Sequence, residues 1–240
     1  MENRLIRLPS SLSLEARLST PRGATAASTR KLAVCLHPWS WLGGQMNDPV
    51  LHAISSVLLE AGYTVLRYNS RGVGQSSGWP SLTGLQEAND LQELVQWALG
   101  EMPGVRSLVI MGYSHGSLIA SLYPLRVLPE DSHINLSHVL LSYPLGPRSW
   151  LTAFRGKHYT TTLNGLLHDL RSNILVVYGD RDEFTSVENY DAWAEALRRE
   201  TSAGEAGTLQ IAKVGGANHF WNDQTARETL LRTIRDWVPS

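Results

Sequence analysis

Six short apolar runs recur along the chain, each bounded by Gly, Pro, Asn or Asp. They are "KLAVCLH" (31–37), "YTVLRYN" (63–69), "SLVIMGY" (107–113), "HVLLSYP" (138–144), "ILVVYGD" (174–180) and "LQIAKV" (209–214). Continuous β-branched and leucine-rich runs of this length predict parallel strands covered on both faces. The segments between them read as helices. Asn47, Asp48 and Pro49 open "VLHAISSVLLEAG", and Gly62 closes it. "GLQEANDLQELVQWALG" sets Leu85, Leu91, Leu94 and Trp97 along one stripe. "SVENYDAWAEALRRE" and "DQTARETLLRTIRDWV" carry acids early and arginines late, as the helix dipole favours. Ahead of all these, "RLIRLPS" and "LSLEARLST" are alternating runs split by Pro9 and Ser10, a predicted antiparallel hairpin. The stretch "TPRGATAASTR" that follows is a small-residue loop. Strands alternating with helices imply right-handed crossovers and a doubly wound α/β sheet. With the hairpin the sheet has eight strands, mostly parallel, in one domain spanning residues 1–240.

Composition narrows the function classes. A formal charge of -1, with arginines scattered rather than striped, gives no footprint for nucleic acid or an anionic membrane. No stretch approaches the roughly 20 apolar residues of a membrane span, and "MENRLIRLPS" lacks the apolar core of a signal peptide. The one cysteine, Cys35, lies in mid-strand, where a thiol is usually an inert core residue. A cytoplasmic location follows as the expectation. No H-x-E or C-x-x-C pair points to a metal, and Gly72, Gly74 and Gly78 do not spell a dinucleotide fingerprint, so no cofactor is expected.

The chemistry concentrates at "VIMGYSHGSL" (109–118), where a strand runs into Gly112-Tyr113-Ser114-His115-Gly116 and a helix-like stretch, "SLIASLYPLRV", follows. In a G-x-S-x-G turn the serine hydroxyl is lifted clear of the sheet, and bare flanking positions let strand and helix approach. The next residue's amide, that of His115, is then free to face an oxyanion. The alternative is an ordinary turn serine. A serine hydroxyl needs a base. Of eight histidines, His37 and His138 lie at strand ends, His52 falls on a helix face, and His133, His158 and His168 sit in polar surroundings. His219, in "VGGANHFW" between the last strand and the last helix, belongs to a loop opening at the same sheet edge as Ser114. The acid that holds the base comes from "VVYGDRDEF", which offers Asp180, Asp182 and Glu183: Asp182 is preferred, with Asp180 the turn-shaping second choice.

Taken together, "HPWSWLGGQMND", "LRYNSRGVGQSSG", "GYSHG" with "LSYPLG", and "YGDRDEF" with "GANHFW" resemble a branch of small serine α/β-hydrolases, from Lys31 to the end of the chain. The resemblance implies the α/β-hydrolase fold with a minimal lid, and Ser114, Asp182 and His219 as a catalytic triad in the chain order Ser, Asp, His. It also implies an oxyanion hole from the backbone amides of Trp39 and His115; Pro38 has no N–H to offer. Arg71, Gly72 and Gly74 are implied members of a structural turn. His115 departs from the small or aromatic residue often found after the nucleophile.

The stretch 146–173 must hold a crossover helix, expected at "TTLNGLLHDLRS", which leaves little for a separate lid. Trp39, Trp41, Trp150, Phe154 and Trp221 are candidates for an aromatic rim binding a bulky acyl group, although each taken singly reads more readily as core. The expected activity is hydrolysis of a carboxylic ester or thioester, with a small-molecule acyl substrate as partner. Acyl transfer or lactone chemistry on the same triad, and a non-catalytic ligand binder on the same fold, are the alternatives. The oligomeric state has no signature in the sequence.

Overall fold

Side chains alternate across each strand, and this divides the core in two. In the computed structural model of the protein, Leu32, Val34 and Leu36 of one central strand face one layer of helices, and Ala33 and Cys35 face the other. The next strand does the same with Leu108 and Ile110 against Val109, Met111 and Tyr113. A run apolar at every position is thereby buried on both sides, as the sequence pattern demands. The structure describes the chain except residues 1–2, 25–29, 125–126, 129–132, 147, 153–154, 203–205 and 240, and the side chains at 149 and 150.

The strands are β1 (Arg4–Arg7), β2 (Ser13–Ser19), β3 (Lys31–Leu36), β4 (Thr64–Tyr68), β5 (Ser107–Tyr113), β6 (Asn135–Leu141), β7 (Asn173–Gly179) and β8 (Thr208–Val214). They form one sheet in the order β1-β2-β4-β3-β5-β6-β7-β8. β1, β2 and β4 pair antiparallel, and every pairing from β4 onward is parallel. The helices are α1 (Pro49–Glu60), α2 (Leu85–Glu101), α3 (His115–Ala120), α4 (Arg148–Leu151), α5 (Gly156–Leu167), α6 (Val187–Ser202) and α7 (Gln224–Trp237). α1 and α7 cover one face of the sheet; α2, α3, α5 and α6 cover the other. Asp48 caps α1 by accepting from the amides of Val50 at 2.8 Å and Leu51 at 3.2 Å, with Pro49 at the first helical position.

Three expected boundaries move. β6 begins at Asn135, three residues earlier than its most apolar run, so His138 sits in mid-strand rather than at a strand end. The helix after Ser114 ends at Ala120 instead of continuing through 127. Pro124 disfavours helical backbone at Tyr123, and the chain leaves the helix in tight turns from Leu122 to Ile119 and Tyr123 to Ala120. The crossover helix α5 starts at Gly156 and stops at Leu167, ahead of "HDLRS". Among the described residues only the four-residue α4 stands between β6 and α5, with no lid domain among them.

The topology also sets where a site can form. From β3 the chain crosses to β4 on one side, and later returns to β5 on the other side of β3. The connections leaving β3 and β5 therefore part, opening a crevice at the carboxyl ends of the strands. Residue 37 and Ser114 follow directly on those two ends.

Candidate active site

Ser114 stands at the switch point between β5 and α3 with φ 54 and ψ -120, in a region costly for a residue with a side chain. The two glycines make this possible. A Cβ on Gly112 would lie 2.2 Å from the Gly116 carbonyl oxygen, and one on Gly116 would lie 2.6 Å from the Leu36 oxygen. Strand β5, helix α3 and strand β3 are thus closer than any side chain allows. The turn is held by the Ser114 amide donating to the Leu141 oxygen at 2.8 Å, and by Ser117 Oγ donating to the Ser114 oxygen at 2.6 Å.

His219 reaches this serine from the β8–α7 connection, its Nε2 2.8 Å from Ser114 Oγ. Its Nδ1 lies 2.7 Å from Asp182 Oδ2. A carboxylate can only accept, so Nδ1 carries the hydrogen and Nε2 is left to accept from the serine hydroxyl. All three side chains are buried. Asp182 accepts four hydrogen bonds: from the amides of Phe184 (2.8 Å) and Thr185 (3.1 Å) on Oδ1, and from Tyr190 Oη (3.1 Å) and His219 on Oδ2. Asp180, the alternative acid, instead accepts from the Gly216 amide at 2.7 Å and shapes the turn leading to His219.

The backbone of His219 is held as firmly as its ring. Its amide donates to Glu183 Oε2 at 2.9 Å, and its carbonyl accepts from Tyr113 Oη at 2.7 Å. Tyr113 and the role of Glu183 had no signature in the sequence, because each contact joins segments distant along the chain. Tyr190 lies eight residues after Asp182, in the first turn of α6, and its nearness to the acid could have flagged it.

Beyond β3, His37 fixes the loop that carries Trp39. The Ser70 amide donates to His37 Nε2 at 3.0 Å, so Nδ1 is the protonated nitrogen and donates to the Pro38 oxygen at 2.6 Å. Burial pushes His37 down to about 4, keeping it neutral. Gly44 packs so closely that a Cβ there would fall 2.1 Å from that same oxygen. The structural turn around Arg71 is also present: Gly72 and Gly74 have positive φ, and Arg71 grips Asp90 at 2.7 and 2.6 Å.

The expected aromatic rim divides. Trp39 and Trp41 stack with ring centres 5.8 Å apart and planes 3° from parallel, and Trp41 is 71% exposed. Trp221 does not belong to the rim. Its indole is wholly buried in the core beneath α7, where Nε1 donates to Ser142 Oγ at 3.0 Å. The backbone at this residue has φ 54, and burial of so large an apolar surface favours the inward placement. The Trp150 side chain and Phe154 lie outside the described residues. Phe184 and Phe220 take part instead: Phe184 presents its edge to the His219 ring at 4.6 Å and meets Phe220 at 5.9 Å. The Cys35 thiol is buried and pushed up to about 12, which removes it as a nucleophile. Among the described residues no three His, Cys, Asp or Glu side chains group as metal ligands, and no helix is long and apolar enough to cross a membrane.

Comparison with known proteins agrees with this architecture. The sequence model of the α/β-hydrolase fold family matches residues 42–135. The chain is 34% identical over 232 residues to the uncharacterized protein RP471 of Rickettsia prowazekii, covering 93% of this chain and 85% of that protein. Among solved structures it is similar to an α/β serine hydrolase homologue from Coxiella burnetii, with 22% identity, a TM-score of 0.73, and coverage of 99% and 97% of the two chains. It is also similar to XC6422 from Xanthomonas campestris, an α/β serine hydrolase without a lid, at 24% identity, TM-score 0.71, and coverage of 100% and 95%. The chain belongs to the α/β-hydrolase fold family.

Proposed function

We propose that the protein is a serine hydrolase acting on carboxylic esters or thioesters. The observation that carries this reading is the unbroken line from Ser114 Oγ to His219 Nε2 at 2.8 Å and from His219 Nδ1 to Asp182 at 2.7 Å, built on a strained turn. His219 takes the serine proton as Oγ attacks the substrate carbonyl carbon. The carbonyl oxygen becomes an oxyanion, for which the backbone amides of Trp39 and His115 are the proposed donors. Collapse of this intermediate breaks the bond to the leaving oxygen or sulfur, which receives the proton from His219. Water then attacks the acyl-enzyme with His219 again acting as base, releasing the carboxylic acid and restoring Ser114. Asp182 stabilises the imidazolium in both halves and takes no proton itself. Each oxyanion donor is worth about 3–4 kcal/mol of transition-state stabilisation, so the Trp39 loop contributes beside the triad.

The test is labelling by a fluorophosphonate probe, beside turnover of p-nitrophenyl esters and acyl thioesters. Wild-type protein is expected to be labelled at Ser114 and to hydrolyse at least one acyl class. Ser114→Ala is expected to lose labelling and roughly 10⁴-fold or more in kcat. A folded protein that neither labels nor turns over any acyl substrate would leave the fold as a ligand binder.

A further inference from the structure

Two adjoining recesses lie at the candidate site, and they differ in size and lining. The smaller, about 100 Å³, is bounded by Ser114, His219, Phe184, Leu42 and Pro144. The larger, about 300 Å³, is walled by Trp39, Trp41, Leu82 and His115, and touches neither Ser114 nor His219. Trp39 and Leu151 border both, so the two recesses adjoin.

In ester hydrolysis the histidine must hand its proton to the departing oxygen or sulfur, so the leaving group lies on the histidine's side. That side is the small recess. The large lobe opens on the other side, behind the two residues whose amides are the proposed oxyanion donors. Resting on the serine hydrolase reading, we infer that the large lobe holds the acyl half of the substrate and the small recess the leaving group. The acyl half is bulky, ring-bearing and without negative charge, with a hydrogen-bonding group directed at His115.

Size supports the first part. A cavity of about 300 Å³ reaches the range that encloses an organic ligand. One of about 100 Å³ is roughly three times a water molecule's share of liquid volume and admits only a few heavy atoms. Charge supports the second. On the lobe's wall Arg71 is paired with Asp90 at 2.6 Å, and Glu87, bonded to the Ser81 amide at 2.7 Å, keeps its negative charge. No unpaired cation among the described residues of that wall is left to receive an anionic acyl group. The parallel Trp39 and Trp41 indoles supply apolar surface suited to a ring. His115 supplies the polar contact. Its imidazole makes no hydrogen bond among the described residues and borders the lobe. Burial pushes it down to about 4, so at neutral pH it offers one donor and one acceptor.

Two ester series separate the halves. In the first, ethanol is the leaving group and the acyl group runs from acetyl to 3-phenylpropanoyl and its ring-hydroxylated analogue. In the second, acetyl is fixed and the alcohol runs from methanol to ethanol to benzyl alcohol. The expected result is a kcat/KM at least tenfold higher for phenylpropanoyl than for acetyl, with benzyl acetate no better than ethyl acetate. Trp41→Ala, at an exposed position where folding is not at stake, is expected to cut the phenylpropanoyl-to-acetyl ratio at least fivefold. His115→Leu is expected to abolish the difference between the hydroxylated and plain rings. Benzyl acetate preferred over ethyl acetate with acyl size indifferent, or variants that scale both series equally, would overturn the assignment. If Ser114 still labels with a fluorophosphonate and acetate esters still turn over, only the division of the cleft fails. Without labelling or turnover of any ester, the hydrolase reading itself falls.

Discussion

Tyr190 donates its phenolic hydrogen to the same carboxylate oxygen of Asp182 that accepts from His219, at 3.1 Å beside 2.7 Å. The acid is thus held from two sides of one atom, and the two backbone amides on its other oxygen prevent rotation. Tyr190→Phe removes one of four bonds and leaves the ring packing against Tyr178 in place. A hydrogen bond to a charged group contributes about 1.5–3 kcal/mol, but three remain, so the expected fall in kcat is roughly three- to tenfold. Steady-state kinetics on an ester substrate measures it, and an unchanged kcat would show that the other three bonds suffice.

Glu183 holds His219 by its backbone, accepting from the His219 amide and, at 3.2 Å, from Asn218 Nδ2. Glu183→Ala frees the loop at the residue that carries the base, and kcat is expected to drop about fivefold with KM nearly unchanged. Glu183→Gln keeps an oxygen that can accept and is expected to retain most activity. Equal losses in the two variants would point to charge rather than positioning.

Gly116→Ala forces a methyl group to within 2.6 Å of the Leu36 oxygen and 2.7 Å of the His37 oxygen. Overpacking of this kind costs about 1–3 kcal/mol. Relief requires α3 to move away from β3, which separates His115 from Trp39. Urea denaturation is expected to show the stability loss, and ester turnover a larger proportional loss than stability alone explains.

His138 gives the fold an acid limit. It is wholly buried in β6, with Nε2 donating to the Tyr123 oxygen at 2.9 Å, and burial pushes it down to about 4. Between that value and its ordinary 6.5 the unfolded chain binds a proton that the folded chain refuses. Stability therefore falls as pH drops through this window, by roughly 3 kcal/mol at pH 4 relative to pH 7. In His138→Leu the slope of unfolding free energy against pH is expected to be shallower by up to one proton. Carboxylates common to both proteins cancel in that comparison.

Much of this was legible in the pattern of residues. Continuous apolar runs named the parallel strands because burial on both faces leaves no room for polar alternation. The glycines at 112 and 116 marked the turn because no other residue fits between β3, β5 and α3. The structure brings Ser114, Asp182 and His219 together as the sequence order suggested. Helix ends were less legible: α3 stops short because Pro124 acts through the residue before it. Trp221 was misplaced at the rim because a loop position near a site says nothing of which way a left-handed backbone turns the side chain. Tyr113, Tyr190 and the bond from the His219 amide to Glu183 went unread because these partners are set by the folded geometry.

The bond from the Trp221 indole to Ser142 ties the connection that bears His219 into the interior of the molecule. One residue, Phe220, separates the His219 imidazole from a ring that cannot leave without opening a void. Thermal inactivation should then track global melting, with no intermediate temperature at which the chain stays folded while the base drifts out of reach.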